Sequence, residues 1–128
     1  RLQDETEHPH GMTQPEYDAL FTRDKTIIFA FHGYPWLIHR LTYRRANQKL
    51  HVRGYKEEGT ITTAFDMTVR NDMDRFHLVL DVIRYLKLET PEARELRDLM
   101  AEKLHDHAHY IVENGVDMPE IVNWKWDK

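Results

Sequence analysis

Residues 26–58 constrain the fold of this chain more than any other stretch. An apolar run at 26–31 ends at His32-Gly33-Tyr34-Pro35, a segment with helical spacing follows at 36–45, and a second strand-like run occupies 50–55. The order strand, turn, helix, strand is typical of an α/β sheet, whose strand ends often carry functional groups. The uninterrupted apolar character of 26–31 favours a strand buried on both faces, as in a parallel sheet.

Helical patterns dominate the rest of the chain. Thr13-Gln14-Pro15-Glu16 has the spacing of a capping box and predicts a helix of about two turns. A second helix, capped by Asn71 or Asp72, is predicted from an apolar stripe at Phe76, Val79, Leu80, Ile83 and Leu86. Thr90-Pro91 predicts the start of a third, and Gly115 its left-handed stop.

The remaining segments are predicted to be irregular. Residues 1–12 are interpreted as a lead-in loop, 56–71 as a long irregular stretch and 119–128 as a tail. About four helices and only two secure strands make a marginal sheet. Because the chain also begins with Arg1 rather than methionine, we expect it to be part of a longer polypeptide with at least one strand upstream.

Composition narrows the class of protein. A chain of 128 residues fits one domain, and a net charge of −4 argues against general nucleic-acid binding. The sequence has no cysteine, which excludes disulfides and thiolate metal sites, and no apolar run long enough for a membrane-spanning segment. A cytoplasmic location is consistent with this composition.

Polar residues at the two strand ends are the first candidate site. His32 follows the first strand, a position that favours function in open α/β sheets. A histidine that caps the next helix or bonds a backbone carbonyl is an equal alternative. Lys56, Glu57 and Glu58 follow the second strand. Paired carboxylates beside a lysine could serve acid–base chemistry, but a charged loop that contacts a partner domain is the favoured interpretation.

Two further clusters suggest ligands. Arg40, Arg44, Arg45 and Arg53 could contact a phosphate, or form a solvated helix face or an ion-pair set between subunits. His105 and His109 have the i, i+4 spacing of two zinc ligands, but the sequence places no third ligand. A solvated face with titrating histidines is therefore the favoured interpretation of that pair.

Several strings go beyond these patterns. IFAFHGYPWLIHRLTYRR at 28–45, LHVRGYKEEGTITT at 50–63, and FDM at 65–67 with 71–78 closely resemble the C-terminal region of phosphoketolases, and EHPHG at 7–11 also fits. Ala64 departs from the proline that family members often carry there.

The resemblance implies a parent enzyme and a fold. Phosphoketolases are thiamine diphosphate-dependent aldehyde-lyases of carbohydrate metabolism that also use a divalent metal ion. They cleave xylulose 5-phosphate, and often fructose 6-phosphate, with inorganic phosphate to acetyl phosphate and an aldose phosphate. Residues 1–128 would be the later part of a transketolase C-terminal-like (Rossmann-like) domain, an α/β fold with a few-stranded sheet flanked by helices.

The resemblance also implies where the chemistry lies. In this family the cofactor sits between two upstream domains of a homodimer, and this sequence has no Gly-Asp-Gly thiamine motif. We therefore expect no catalytic, cofactor or metal residue here and an inactive segment that supports assembly. His32, Lys56, Glu57 and Glu58 would contact the upstream domains or the dimer mate. The alternative is a stand-alone binding or regulatory module that uses the basic helix with Arg40, Arg44 and Arg45 to bind a phosphorylated metabolite.

Overall fold

The chain is a mixed α/β protein, as the sequence predicts. A computed structural model describes residues 1–56 and 60–125. The chain divides into two compact units, Arg1–Lys56 and Glu57–Lys128. The described residues form two strands, β1 (Ile27–Ala30) and β2 (Leu50–Arg53), and six helices, α1 (Gln14–Phe21), α2 (Pro35–Thr42), α3 (Ala64–Arg70), α4 (Arg75–Tyr85), α5 (Pro91–Asn114) and α6 (Pro119–Val122).

The first unit contains a two-stranded parallel sheet. β1 pairs with β2 in a register that runs from Ile27 opposite Leu50 to Ala30 opposite Arg53. The expectation that β1 is buried on both faces is wrong for this chain, because Ile27 to Phe29 are half-buried and Ala30 is exposed. In a two-stranded sheet each strand is hydrogen-bonded along one edge only. Helix α2 packs against β2.

The helices of the first unit begin where the sequence predicts. The capping box of α1 is present, since the Thr13 N–H donates to the Glu16 carboxylate at 2.8 Å while the Thr13 hydroxyl accepts from the Glu16 N–H at 3.4 Å. α2 ends at Thr42, three residues before the predicted end. The Thr42 hydroxyl donates back to the Ile38 carbonyl at 2.8 Å, a local bond that competes with continued helix.

Two predictions for the second unit are wrong, one on residues 64–70 and one on the cap of α4. Residues 64–70, expected to be irregular, form α3, because Thr63 caps the helix and accepts from the Asp66 N–H at 3.1 Å. The cap of α4 is Asp74 rather than Asn71 or Asp72. The Asp74 side chain accepts from two backbone N–H groups of the first turn, whereas Asp72 has a left-handed backbone with φ of 54°.

α5 is the longest helix and matches its predicted limits. The Thr90 hydroxyl accepts from the Ala93 N–H at 3.2 Å, and Gly115 ends the helix with φ of 68°. α4 packs on α5, and the buried apolar residues of this unit are Phe76, Ile83, Ala93 and Met118. The predicted tail begins with the short helix α6. None of the helices in the described part of the chain has the length and apolar character that crossing a membrane requires.

Candidate functional site

The two predicted strand ends meet at one end of the sheet. Because β1 and β2 are parallel, the residues that follow each strand lie side by side. The Phe31 N–H donates to the Arg53 carbonyl at 2.8 Å, and the Tyr55 N–H donates to the Gly33 carbonyl at 2.9 Å. We call residues 32–34 and 54–56 the carboxyl end of the sheet.

His32 and Tyr55 form a polar pair at the carboxyl end. The Tyr55 hydroxyl lies 2.7 Å from His32 Nε2, and the ring centroids are 5.0 Å apart in an edge-on arrangement. Tyr34 packs edge-on against Tyr55 with centroids 6.4 Å apart. His32 and Tyr34 remain exposed, so the carboxyl end presents a surface of aromatic rings.

Gly54 allows the carboxyl end to close. A Cβ atom on Gly54 would lie 2.3 Å from the Gly33 carbonyl oxygen and 3.1 Å from the Phe31 carbonyl oxygen. Only glycine allows the backbone at residue 54 to lie so close to the Gly33 carbonyl. This close packing places Tyr55 beside His32. Sequence reasoning missed Tyr55, although its position next to Lys56 was a usable signal.

The charged residues of the predicted site are partly described. Lys56 is exposed at the carboxyl end and has an interaction partner. Glu57 and Glu58 lie outside the described residues, so their predicted contact role stays a prediction.

Two of the predicted phosphate-contact arginines are engaged with the lead-in loop. Arg40 and Arg44 lie 3.3 and 3.4 Å from the Glu7 carboxylate, which also accepts a hydrogen bond from the Tyr43 hydroxyl. Both guanidinium groups also lie over the Tyr43 ring. The Tyr43 bond, aided by both arginines, holds the pKa of Glu7 below its usual range.

Arg45 has a different environment from the other arginines. Its side chain is 0% exposed. It donates to the carbonyls of Leu2, Gln3 and Met12 at 2.7–3.1 Å and lies over the Tyr17 ring at 4.4 Å. This arginine fastens the lead-in loop and presents no open face to a phosphate. Arg53 is half-buried on β2 and has an interaction partner, and its phosphate role stays a prediction.

The second unit contains a buried histidine–aspartate contact that the sequence did not suggest. His107 is completely buried, with Nε2 3.0 Å from the Asp66 carboxylate. Asp66 also accepts from Arg70 and Thr62, both at 2.6 Å. Burial raises the pKa of Asp66, but these hydrogen bonds outweigh it and leave the pKa below its usual range. The pair joins α3 to α5, and both side chains are buried, which is typical of a structural contact.

His105 and His109 are exposed on α5 with ring centroids 4.4 Å apart. Across residues 1–56 and 60–125, no group of three His, Asp or Glu side chains is placed to hold a metal ion. The pair has no third ligand in the described part, and its interpretation as a solvated face stays a prediction.

Comparison with known proteins identifies the family. The family model of the XFP C-terminal domain matches residues 1–126. The chain belongs to the XFP C-terminal domain family. The resemblance to phosphoketolases seen in the strings at 28–45 and 50–63 is thereby confirmed.

Curated relatives of this XFP C-terminal domain agree. A probable phosphoketolase of Rhodopirellula baltica is 62% identical over 127 residues, and one of Nitrosomonas europaea is 64% identical over 126 residues. One of Mycobacterium avium is 56% identical over 128 residues. The alignments cover 98%, 98% and 99% of this chain but only 16% of each relative, so the chain spans about one-sixth of the length of the proteins it matches.

Proposed function

We propose that this chain is the C-terminal segment of a thiamine diphosphate-dependent phosphoketolase, and that it supports the assembly of that enzyme. The parent is an aldehyde-lyase that cleaves xylulose 5-phosphate, and in some cases fructose 6-phosphate, with inorganic phosphate. The products are acetyl phosphate and an aldose phosphate. The observation that carries the proposal is identity of 62–64% to probable phosphoketolases over 98% of the chain.

An assembly role is supported by how little of the sheet is covered. Parallel strands are normally buried on both faces by other elements. Here β1 and β2 are half-buried at best, and Tyr34 at the carboxyl end is 43% exposed. An exposed tyrosine ring at the carboxyl end is typical of a protein–protein contact, in which aromatic residues are enriched. We place the upstream domains or the dimer mate against the carboxyl end.

In this proposal the cofactor binds to a part of the enzyme outside this chain. When bound, thiamine diphosphate supplies the carbanion chemistry of such an enzyme, and its divalent metal ion needs several oxygen ligands. No set of three possible metal ligands exists among residues 1–56 and 60–125, and no Gly-Asp-Gly occurs in the sequence. These residues do not fit the cofactor, so we assign no step of the reaction to this chain.

The test of the reaction uses the full-length protein that contains this chain. With thiamine diphosphate and a divalent ion, it should convert xylulose 5-phosphate and inorganic phosphate to acetyl phosphate, trapped as the hydroxamate. Formation of acetyl phosphate should stop when inorganic phosphate is omitted. Absence of acetyl phosphate from an intact, cofactor-loaded protein would contradict the proposed activity.

The test of assembly uses two double variants of the same protein, Glu57→Ala with Glu58→Ala and His32→Ala with Tyr55→Phe. We expect each to lower the stability of the dimer, measured by dilution in analytical ultracentrifugation, with a matching loss of activity. Arg94→Gln is the control, because Arg94 is an exposed residue of α5. If both double variants keep the activity and the dimer stability of the unmodified enzyme, the carboxyl end is not a contact surface.

A further inference from the structure

A basic cavity lies in the second unit, where the turn after α4 leads into α5. Its volume is about 490 Å³, within the range of small-molecule sites. Leu80, Ile83 and Leu88 line it with apolar surface, and Arg84, Lys87 and Arg97 line it with cations. None of these residues belongs to the carboxyl end or to the phosphate contacts predicted from the sequence.

The charges on the lining are unbalanced. Three cations face a single carboxylate, Glu89, so the lining carries two net positive charges. Arg97 lies 3.9 Å from Asp98, whose side chain is 80% exposed. No ion pair engages Arg84 or Lys87 within residues 1–56 and 60–125. Cations gathered around one cavity repel each other, and an anion between them would relieve that repulsion.

Lys87 is held in a backbone conformation that lysine disfavours. Its φ is 52°, in the left-handed region. The Leu88 N–H donates to the Ile83 carbonyl at 3.0 Å and the Lys87 N–H donates to the Arg84 carbonyl at 3.2 Å, so Lys87 occupies the helix-ending position where glycine is usual. Non-glycine residues in such strained positions cluster at ligand sites. The chain keeps a positive charge where backbone geometry favours glycine.

We propose that this cavity binds a small monophosphate. The phosphate group would lie among Lys87, Arg84 and Arg97, because guanidinium and ammonium groups suit a phosphate that is close to doubly charged at neutral pH. Any carbon skeleton would rest on the leucine and isoleucine surface. The carboxylate of Glu89 repels a second phosphate, so a monophosphate fits better than a polyphosphate. The proposal stands independently of the phosphoketolase activity.

The experiment follows the methyl groups of the cavity in the full-length protein. Leucine and isoleucine methyl signals of Leu80, Ile83 and Leu88 are recorded by NMR while inorganic phosphate or glycerol 3-phosphate is added. Glycerol and sodium chloride at matched ionic strength are the blanks. We expect saturable shifts at the three residues with either phosphate. A tighter response to glycerol 3-phosphate identifies an organic monophosphate as the ligand, and equal responses identify free phosphate.

Two variants remove the cations. Lys87→Gly deletes a charge and also relieves the left-handed strain, so the fold should be retained. Arg84→Gln deletes a second charge, and Arg94→Gln is the control on α5, since Arg94 does not line the cavity. We expect affinity at least tenfold weaker in the first two variants and unchanged in the control. The proposal is overturned if no saturable shift occurs, if sodium chloride reproduces the shifts, or if both cavity variants bind like the unmodified protein.

Discussion

At the scale of single residues, Arg45 illustrates how the environment decides the role of a side chain. Its sequence neighbours, Arg40 and Arg44, are exposed and pair with Glu7. Arg45 instead replaces water around three backbone carbonyls of the lead-in loop, and the Asp4 carboxylate lies 3.6 Å from its Nη1. The sequence analysis grouped the three arginines because helical spacing places them on one helix face. In the structure α2 ends at Thr42, and Arg45, which lies beyond that end, is buried.

Arg45→Gln should destabilise the fold strongly. The substitution leaves buried carbonyls and Asp4 without their cationic donor, and loss of one partner from a buried charged network costs about 3 kcal/mol. Arg44→Gln, the exposed control, should cost much less, because solvent screens an exposed ion pair. Urea unfolding followed by circular dichroism measures both. Equal free energies of unfolding for the two variants would show that Arg45 does not hold the lead-in loop.

Gly54 makes the second prediction at this scale. Gly54→Ala should cost about 3 kcal/mol, because its Cβ would meet the Gly33 carbonyl at 2.3 Å and the backbone would have to shift. Gly115→Ala is the comparison, since it has a left-handed φ but nothing within 4 Å of its Cβ. That variant should cost about 1 kcal/mol of backbone strain. Thermal unfolding of both variants ranks their losses of stability. A larger loss for Gly115→Ala would contradict the close packing of Gly54 against the Gly33 carbonyl.

At the scale of elements, a helix end could be predicted from the sequence where its local capping pattern was recognised. The capping box at Thr13 and the Thr90–Gly115 limits of α5 depend on contacts within one turn, which the sequence contains. α3 was missed because threonine and glycine around it suggested a loop, although the Thr63-x-x-Asp66 spacing of a cap was present. The contact between His107 and Asp66 joins residues 41 positions apart, and no local pattern could identify it.

The Asp66 pair predicts how stability depends on pH. The pKa of Asp66 lies below that of an unfolded aspartate, which is about 3.9. The extra stability is therefore complete above about pH 4 and is lost as pH falls through the lower, folded pKa. Asp66→Asn removes this dependence, so its free energy of unfolding should fall less between about pH 4 and pH 2 than that of the unmodified protein.

Urea unfolding across that pH range makes the measurement. Asp98→Asn is the control, because the side chain of Asp98 is 80% exposed. It should leave the acid slope unchanged. An Asp66→Asn slope as steep as that of the control would mean that the carboxylate of Asp66 is not stabilised by its partners.

At the scale of the whole molecule, the family and the α/β class could be predicted from the sequence. The burial of the sheet could not. The apolar character of β1 indicates burial, yet β1 is half-buried within its own unit. The amino-acid composition of a strand reflects its surroundings in the complete protein. The relatives of this chain are about six times as long as the chain. The mismatch between apolar sequence and exposed surface is the reason for assigning the carboxyl end to a contact.

The most direct test of that assignment is hydroxyl-radical footprinting of the full-length protein, read by mass spectrometry. The account predicts that His32, Tyr34 and Tyr55 are protected, although His32 and Tyr34 are exposed within residues 1–56. Unfolded protein gives the reference rate for each side chain. Oxidation of His32 and Tyr34 at rates close to those in the unfolded protein would contradict the contact role of the carboxyl end.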